Sequence, residues 1–586
     1  MNTKFFKKLS RYNFIIIALI SVISVFLGYS TIKEPSISGA NFTGKIITLD
    51  DVKNNDSPSL DMVMSHVYNI AKAPHPSGSE AILDVRNYIT EQISKMGLNY
   101  EIQTFERDLL NERLQKHREQ IANNSELAAF RDDYAKNEGF DSFEDYYKHY
   151  LQGNTEYKNI LVRVGPENSE HKFLMMAHYD SAKESPSLGA GDDGVSVASL
   201  LECMRILSLK KDMKNTVYFL ITDGEELGLV GGDYFVKNPL FNPSKITLIT
   251  NFEARGSKGV PFMYRSSGNN KNLLKILSKN VDKKWTFSWL PDIFKTMPNS
   301  SDLGLFIKAG YRGLDFAMAQ DFKNYHQPTD NFENLSVKSA NQYLKMTSDF
   351  ANYFSSVDEI EPDATEDAVA FPVLNGKIMI LSSFKMKIFG IAVAALGLVF
   401  LIFAFIKKKY KIKDFLIYLS AVIISAAFAV PMFFFQKELM TMFSWLTLET
   451  SGLIFISLIS LSIMSLFTLL AKKFFKIEGS SLKAVTILVF VCLSATSSVM
   501  FNSASYIFSI PLLFMLISAL FDIFSKNNIL NLAFRFAEIL VFFVLFIPSV
   551  IMLQVAIPYY IFAFYILCII SFLPTISEML NSKLEN

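Results

Sequence analysis

From about residue 378 onward the sequence stops reading like a water-soluble chain. Apolar stretches near residues 384–406, 414–435, 452–471, 482–500, 504–524, 533–553 and 556–574 are each long enough to cross a hydrocarbon core of roughly 30 Å. Hydrocarbon offers backbone N–H and C=O groups no outside partner, so all seven are expected as transmembrane helices. The N-terminus adds KFFKKLSRYN and then FIIIALISVISVFLGYS, a basic flank before a long apolar run. No small-x-small cleavage site follows and the run is long for a signal peptide, so a retained anchor is expected. Eight crossings, an even number, place both termini on one side.

Charge chooses the side. The connectors KKKYKIK (407–413), KKFFKIEGSSLK (472–483) and SKNNILNLAFR (525–535) are basic, whereas MFNSAS (500–505) is not. The positive-inside rule assigns the basic set, and with it both termini, to the cytoplasm. Lys385 and Lys387 dissent at the outer end of the second crossing, where long side chains can snorkel to the interface. Internal charges are few in the membrane part and suggest no proton relay.

Between about residues 60 and 357 the character is globular. Short β-rich runs such as NILVRV, KFLMMAHYD, TVYFLIT and ITLITNFEA alternate with helix-like segments, which argues an α/β fold with a mostly parallel central sheet flanked by helices. Residues 106–155 stand apart as charged and helix-forming, a solvated insertion or a cap over the site. Lys and Arg number 57 against 56 Asp and Glu, so no global field argues for nucleic acid. Cys203, Cys492 and Cys568 lie far apart in apolar surroundings, expected as buried bystanders. The division expected is an N-terminal segment and anchor over 1–35, a linker over 36–59, the globular domain over 60–357, a second linker over 358–378, and an all-α membrane domain over 379–586.

Acidic residues cluster where strands should end. His178 and Asp180 are two apart at the end of one strand and so share a face. Asp192 and Asp193 follow in GAGDDG, which alone could be a turn with a helix cap. Asp223, Glu225 and Glu226 follow another strand, and Glu253 lies near the end of a third. Parallel strands deliver such clusters to one sheet edge, where they would repel. A pair of divalent cations about 3.5 to 4 Å apart, sharing one carboxylate, resolves the conflict. His326, in the loop KNYHQPTDNFENLS, completes a nitrogen and oxygen donor set.

Taken in order, HYD (178–180), GAGDD (189–193), DGEELG (223–228), NFEARG (251–256) and YHQPTD (325–330) resemble the motifs of the dinuclear zinc peptidases. That family includes secreted bacterial aminopeptidases, glutamate carboxypeptidase II and the glutaminyl cyclases. APHPSGSE (73–80) and SSDLGLF (300–306) also look like the family, and the greasy C-terminal half is similar to its membrane-bound vacuolar and endoplasmic reticulum branch. The resemblance implies that His178 and Glu253 hold one Zn2+, Glu226 and His326 the other, and Asp192 bridges them, with Co2+ or Mn2+ as alternatives. It makes Glu225 the general base acting on a metal-bridging hydroxide, and Asp180 the group that orients His178. Glu253 departs from the simplest family pattern, in which Asp is frequent at this place. Asp193 is expected to support the turn and Asp302 to lie behind the ligands. Tyr325 has two readings, as an oxyanion partner or a packed aromatic, and Arg255 two, as a partner of a substrate carboxylate or of a structural ion pair.

The expected function is therefore a membrane-anchored aminopeptidase acting on peptides outside the cytoplasm, with the domain in the periplasm, exterior or lumen. A glutaminyl cyclase-like acyltransferase and a vestigial domain on a receptor or transporter-associated protein are the alternatives. For the extra crossings, anchoring, presentation of membrane-derived peptides and homodimerisation all stay open.

Overall fold

Eight strands form one mixed sheet in the order β1-β2-β4-β3-β5-β8-β6-β7. They are β1 (Tyr100–Asp108), β2 (Asn154–Val164), β3 (Lys172–His178), β4 (Thr216–Thr222), β5 (Ile246–Ala254), β6 (Phe262–Ser266), β7 (Trp285–Thr286) and β8 (Gly313–Met318). This is a computed structural model; it describes residues 13–30, 42–434 except 123, 152, 184, 242–245, 283–284, 298–299, 362–363 and 374–376, then 453–556 and 566, 570, 573–574 and 576–577. The centre β4-β3-β5-β8 is parallel throughout, while β1, β2 and β6 join antiparallel. The α/β class and the parallel sheet centre expected from the sequence are those observed.

Strand alternation assigns the two faces. Phe173, Met175 and Ala177 of β3 enter one apolar core, whereas Leu174 and Met176 enter a second on the opposite face. In the globular region, helices α2 (Leu60–Ile70) and α3 (Glu80–Lys95) follow the N-terminal α1 (Asn13–Ser30), and α4 (Leu109–Ile121), α5 (Ser125–Asn137) and α6 (Phe143–Tyr150) lie between β1 and β2. Then come α7 (Val195–Leu209), α8 (Val230–Lys237), α9 (Lys271–Asn280), α10 (Trp289–Phe294), α11 (Asp302–Lys308) and α12 (Val337–Ser356). Serines start four of them where the first-turn N–H groups lack partners: Ser59, Ser79, Ser142 and Ser336 accept from Met62, Ile82, Asp145 and Ser339.

The insertion is the helical trio α4–α6, and its expected limits cut into the ends of β1 and β2. The segment EIQTFERD of β1 has only Ile102 and Phe105 as apolar residues in a largely exposed strand, which blurs its charged end with the helix that follows. The segment expected as a second linker contains β9 (Ala368–Pro372), paired antiparallel with β10 (Ile378–Ser382).

Past β10 come α13 (Ser383–Ile406), α14 (Ile412–Ala427), α15 (Leu453–Phe475), α16 (Ser481–Met500), α17 (Tyr506–Phe524) and α18 (Asn528–Ala556). Among the described residues, five helices are long and apolar enough to cross a membrane, at Ser383–Ile406, Ile412–Pro431, Ser481–Met500, Tyr506–Phe524 and Asn528–Val555. The expected crossing at 452–471 lies on α15, and that at 556–574 falls mostly outside the described residues. Helix α1 packs on α18 so closely that a Cβ on Gly28 would lie 2.5 Å from the Phe543 carbonyl oxygen. Cys203 is buried and Cys492 exposed, so the expectation of buried cysteines holds for the first alone; Cys568 lies outside the described residues.

The two ends of the bundle differ. At one, Lys411 Nζ donates to Glu478 at 2.5 Å, joining two of the basic connectors. At the other, Ser503 donates to Asp292 of the globular domain at 2.5 Å and its carbonyl accepts from Ser288. Packing also assembles charges that the sequence scatters. Lys483 Nζ donates to Glu538 and to Ser518, both at 3.0 Å, and Arg535 donates to Asp522 at 2.9 Å.

Candidate active site

Parallel strands carry their C-terminal ends to one edge of the sheet, and the chemistry-bearing residues lie along it. His178 is the last residue of β3, Asp223 to Glu226 follow β4 directly, Glu253 is the penultimate residue of β5, and His326 lies in the loop after β8. Asp192 and Asp193 sit in the tight turn before α7, joined by a cis peptide.

Asp192 is central. Its Oδ1 lies 3.3 Å from His178 Nε2 and its Oδ2 lies 3.3 Å from His326 Nε2. Beyond it, His178 Nε2 is 3.3 Å from Glu253 Oε2, and His326 Nε2 is 2.9 Å from Glu226 Oε2. The five residues expected as ligands therefore converge, with one carboxylate between two imidazole–carboxylate pairs. Asp193 also lies within ligand range of His178 and Glu253. Its Oδ2 accepts from the His178 backbone N–H at 3.3 Å, which ties the turn to the strand end.

Asp180 does more than its spacing suggests. His178 Nδ1 is 3.0 Å from the Asp180 backbone carbonyl and 3.5 Å from its carboxylate. The carboxylate itself accepts from the backbone N–H groups of Glu225 and Glu226, at 3.1 and 3.2 Å. It pins the loop that carries both glutamates. Asp223 anchors the same loop, accepting from Ser77 at 2.6 Å and from the Lys158 backbone at 2.9 Å.

Asp330 and Asn251 carry no role in the sequence reading, whereas Asp302, Tyr325 and Arg255 are expected near the site. Asp330, the last residue of YHQPTD, accepts from the Gly191 and Asp192 backbones at 2.7 and 3.1 Å and so fixes the turn that aims Asp192. Its position in a recognised motif was the available signal. Asn251 donates to Glu253 at 2.9 Å and to Asp315 at 3.0 Å. Asp302 accepts from Thr222 at 2.5 Å behind the strand end. Tyr325 stacks on His326 with ring centroids 3.8 Å apart, and Arg255 lies over the Phe322 and Tyr325 rings at 5.2 and 5.6 Å. His326 has φ of 54°, a left-handed conformation uncommon for a residue with a Cβ.

Electrostatics mark the site as starved of positive charge. Burial pushes the Glu226 carboxyl up to about 8, with the Asp192 charge adding to it. Burial and then the charge on Glu253 push Glu225 well above the carboxylate range. Burial alone would raise Asp192 too, yet hydrogen bonds and charge from both histidines hold it well below that range. Burial would lower His326, but its bonds to Asp192 and Glu226 lift it to about 10.

The donor set fits a divalent cation such as zinc. It offers imidazole nitrogen and carboxylate oxygen, and Glu226 Oε1 is buried with no hydrogen-bond partner among the described residues while its other oxygen faces His326. Beside the donors a cavity of about 60 Å³ is lined by Glu225, Phe262, Tyr264, Phe294 and Tyr325 among others.

Comparison with known proteins agrees with the resemblance drawn from the motifs. Residues 159–351 match the sequence profile of peptidase family M28. The vacuolar membrane protease of Candida tropicalis is 30% identical over 320 residues, 54% of this chain and 31% of that protein. That of Clavispora lusitaniae is 33% identical over 204 residues, 34% of this chain and 19% of that protein. The chain thus matches about a third or less of the length of these curated relatives. Among solved structures, the aminopeptidase from Aneurinibacillus sp. strain AM-1 superposes with a TM-score of 0.40 at 16% identity, over 54% of this chain and 98% of that one.

Proposed function

We propose that the chain is a membrane-anchored metallopeptidase that binds two zinc ions and removes N-terminal residues from peptides. The observation that carries this reading is Asp192, which turns one oxygen to each of two imidazoles, each of those facing a further carboxylate at 2.9 to 3.3 Å. His178, Glu253 and Asp192 would hold one ion; Glu226, His326 and Asp192 the other.

Zinc, when bound, polarises a peptide carbonyl and lowers the proton affinity of water. The remaining work falls to side chains of this chain. Glu225 lines the same cavity; with the charge of bound zinc offsetting the burial that raises its carboxyl, it would stand ionised there and could take a proton from water and return it to the leaving amine. Asp180 holds the Glu225 and Glu226 amides, which fixes the direction of the base relative to the ligands. Phe262, Tyr264 and Phe294 wall the cavity and exclude water around an apolar side chain of the substrate.

The basic connectors meet at the bundle end opposite the globular domain, which supports a cytoplasmic face there and a peptidase domain on the other side of the membrane. Zinc analysis of the purified full chain, with hydrolysis of aminoacyl-nitroanilides and their N-acetylated forms, tests the reading. Two zinc ions per chain and cleavage of the free-amine substrates alone are expected. Cyclisation of N-terminal glutamine without hydrolysis would make it a glutaminyl cyclase, and inertness with no zinc would make the domain vestigial.

A further inference from the structure

The globular domain and the helical bundle share one apolar core. Val260, Phe262 and Phe371 belong to the same packed cluster as Met386, Leu512 and Phe542 of the bundle, and Phe371 stacks on Tyr506 at 4.0 Å. At this junction a cavity of about 520 Å³ opens between α10 and the ends of α16, α17 and α18 nearest the domain. Trp289, Ile293, Leu493, Ile507, Phe546 and Val550 wall it. Its volume falls in the range of about 300 to 1,000 Å³ typical of small-molecule sites.

The geometry points to a seat for one acyl chain of a phospholipid from the leaflet on the domain side. Position is the first argument: Thr496 of α16 lines the cavity and is exposed, in a row with exposed Cys492, Val499 and Met500. On a helix long and apolar enough to span, that row faces lipid, so the cavity opens on the bilayer. Chemistry is the second argument. The walls are mainly hydrocarbon and aromatic, with the hydroxyl residues Thr296, Thr496, Ser497, Ser503 and Ser549 among them, and apolar walls of this kind gain contacts when something apolar enters. The rim is the third. Asp292 lines the cavity, and its carboxylate, which accepts from Ser503, also faces the exposed Lys295 Nζ at 3.2 Å, one acidic group beside one basic group, which suits a zwitterionic headgroup.

Helix α10 connects this seat to the candidate active site. Ile293 faces the acyl cavity, and the next residue, Phe294, lines the catalytic cavity, where its ring lies 5.0 Å from that of Tyr264. An occupant that pushes on Ile293 therefore shifts a wall of the substrate pocket. This coupling rests on the peptidase reading; the lipid seat itself does not.

The test uses the full chain in vesicles of phosphatidylcholine carrying a diazirine near the acyl terminus. Photolabelling, mapped to single residues, is expected on Ile293, Leu493 or Val550, and to fall at least fivefold in both Leu493→Trp and Ala504→Phe, which fill the cavity from different sides. Two variants keep the result readable if one fails to fold. Equal labelling in the wild type and a folded variant, or labelling only on the outward row at Cys492 and Met500, would overturn the seat. So would displacement of the label by an apolar peptide, since the occupant would then be substrate. In detergent, nitroanilide hydrolysis by the delipidated wild type should rise at least threefold on adding phosphatidylcholine and that of the filled variants should not. A wild type equally active without lipid would overturn the coupling, whereas a wild type that hydrolyses nothing would sink the peptidase reading and leave the labelling result standing.

Discussion

Replacing Asp180 by Asn separates holding the catalytic loop from holding the metal. The carboxylate accepts two backbone N–H groups, from Glu225 and Glu226, one on each oxygen. An amide keeps one acceptor and turns an NH2 toward the other N–H, so one charge-assisted bond becomes a donor–donor contact. Hydrogen bonds to charged groups contribute about 1.5 to 3 kcal/mol, which corresponds to roughly 10- to 150-fold in rate if the displaced loop carries Glu225 out of line. The contact that sets the His178 ring is the Asp180 backbone carbonyl at 3.0 Å, and the substitution spares it. Asp180→Asn should therefore lose about one to two orders of magnitude in kcat/KM while keeping zinc close to the wild-type amount. Steady-state kinetics beside elemental analysis of the same preparation decides it. Activity within threefold of wild type would refute the loop-holding role, and zinc loss as deep as in His178→Ala would show that the carboxylate acts through the ligand instead.

Other perturbations test other parts of the structure. Lys483→Met should remove the ammonium that Glu538 faces at 3.0 Å and lower the apparent Tm in detergent, with much of the loss recovered in Lys483→Met/Glu538→Leu. Gly232→Ala would set a Cβ 2.3 Å from Asp302 Oδ1, and loss of activity at preserved expression is expected. Burial, and then the Arg205 charge, push His66 down to about 3, so the folded state binds fewer protons than the unfolded one below the ordinary histidine value of 6.5. The stability this gives is complete above pH 6.5 and is lost as pH falls toward 3, by up to about 1.4 kcal/mol per unit. A Tm series over that range should fall more steeply in the wild type than in His66→Gln.

Much of the site was legible because its residues follow strand ends, and strand ends carry a local signature. His178, Glu226 and Glu253 each close an apolar run, and a parallel arrangement leaves them one edge on which to meet. What stayed hidden was hidden by distance along the chain. Asp330 fixes a turn nearly 140 positions upstream, and nothing local to either segment announces that contact. The charged group in the bundle is a second case. Lys483, Asp522, Arg535 and Glu538 look like isolated interruptions of three apolar helices, and only their packing makes pairs of them. At β1 and at the β9–β10 hairpin the difficulty was local instead. A mostly exposed strand and a five-residue buried one carry too little periodicity to stand out beside a charged helix or within a polar connector.

The central claim is that Glu225 moves the proton while Asp192 and its four neighbours hold the metal, and Glu225→Gln tests it most directly. Measured on one preparation of the full chain, the variant should retain two zinc ions and lose nitroanilide hydrolysis by several orders of magnitude, because the base is removed and no ligand is. Near-normal hydrolysis by a zinc-loaded Glu225→Gln protein would contradict the account.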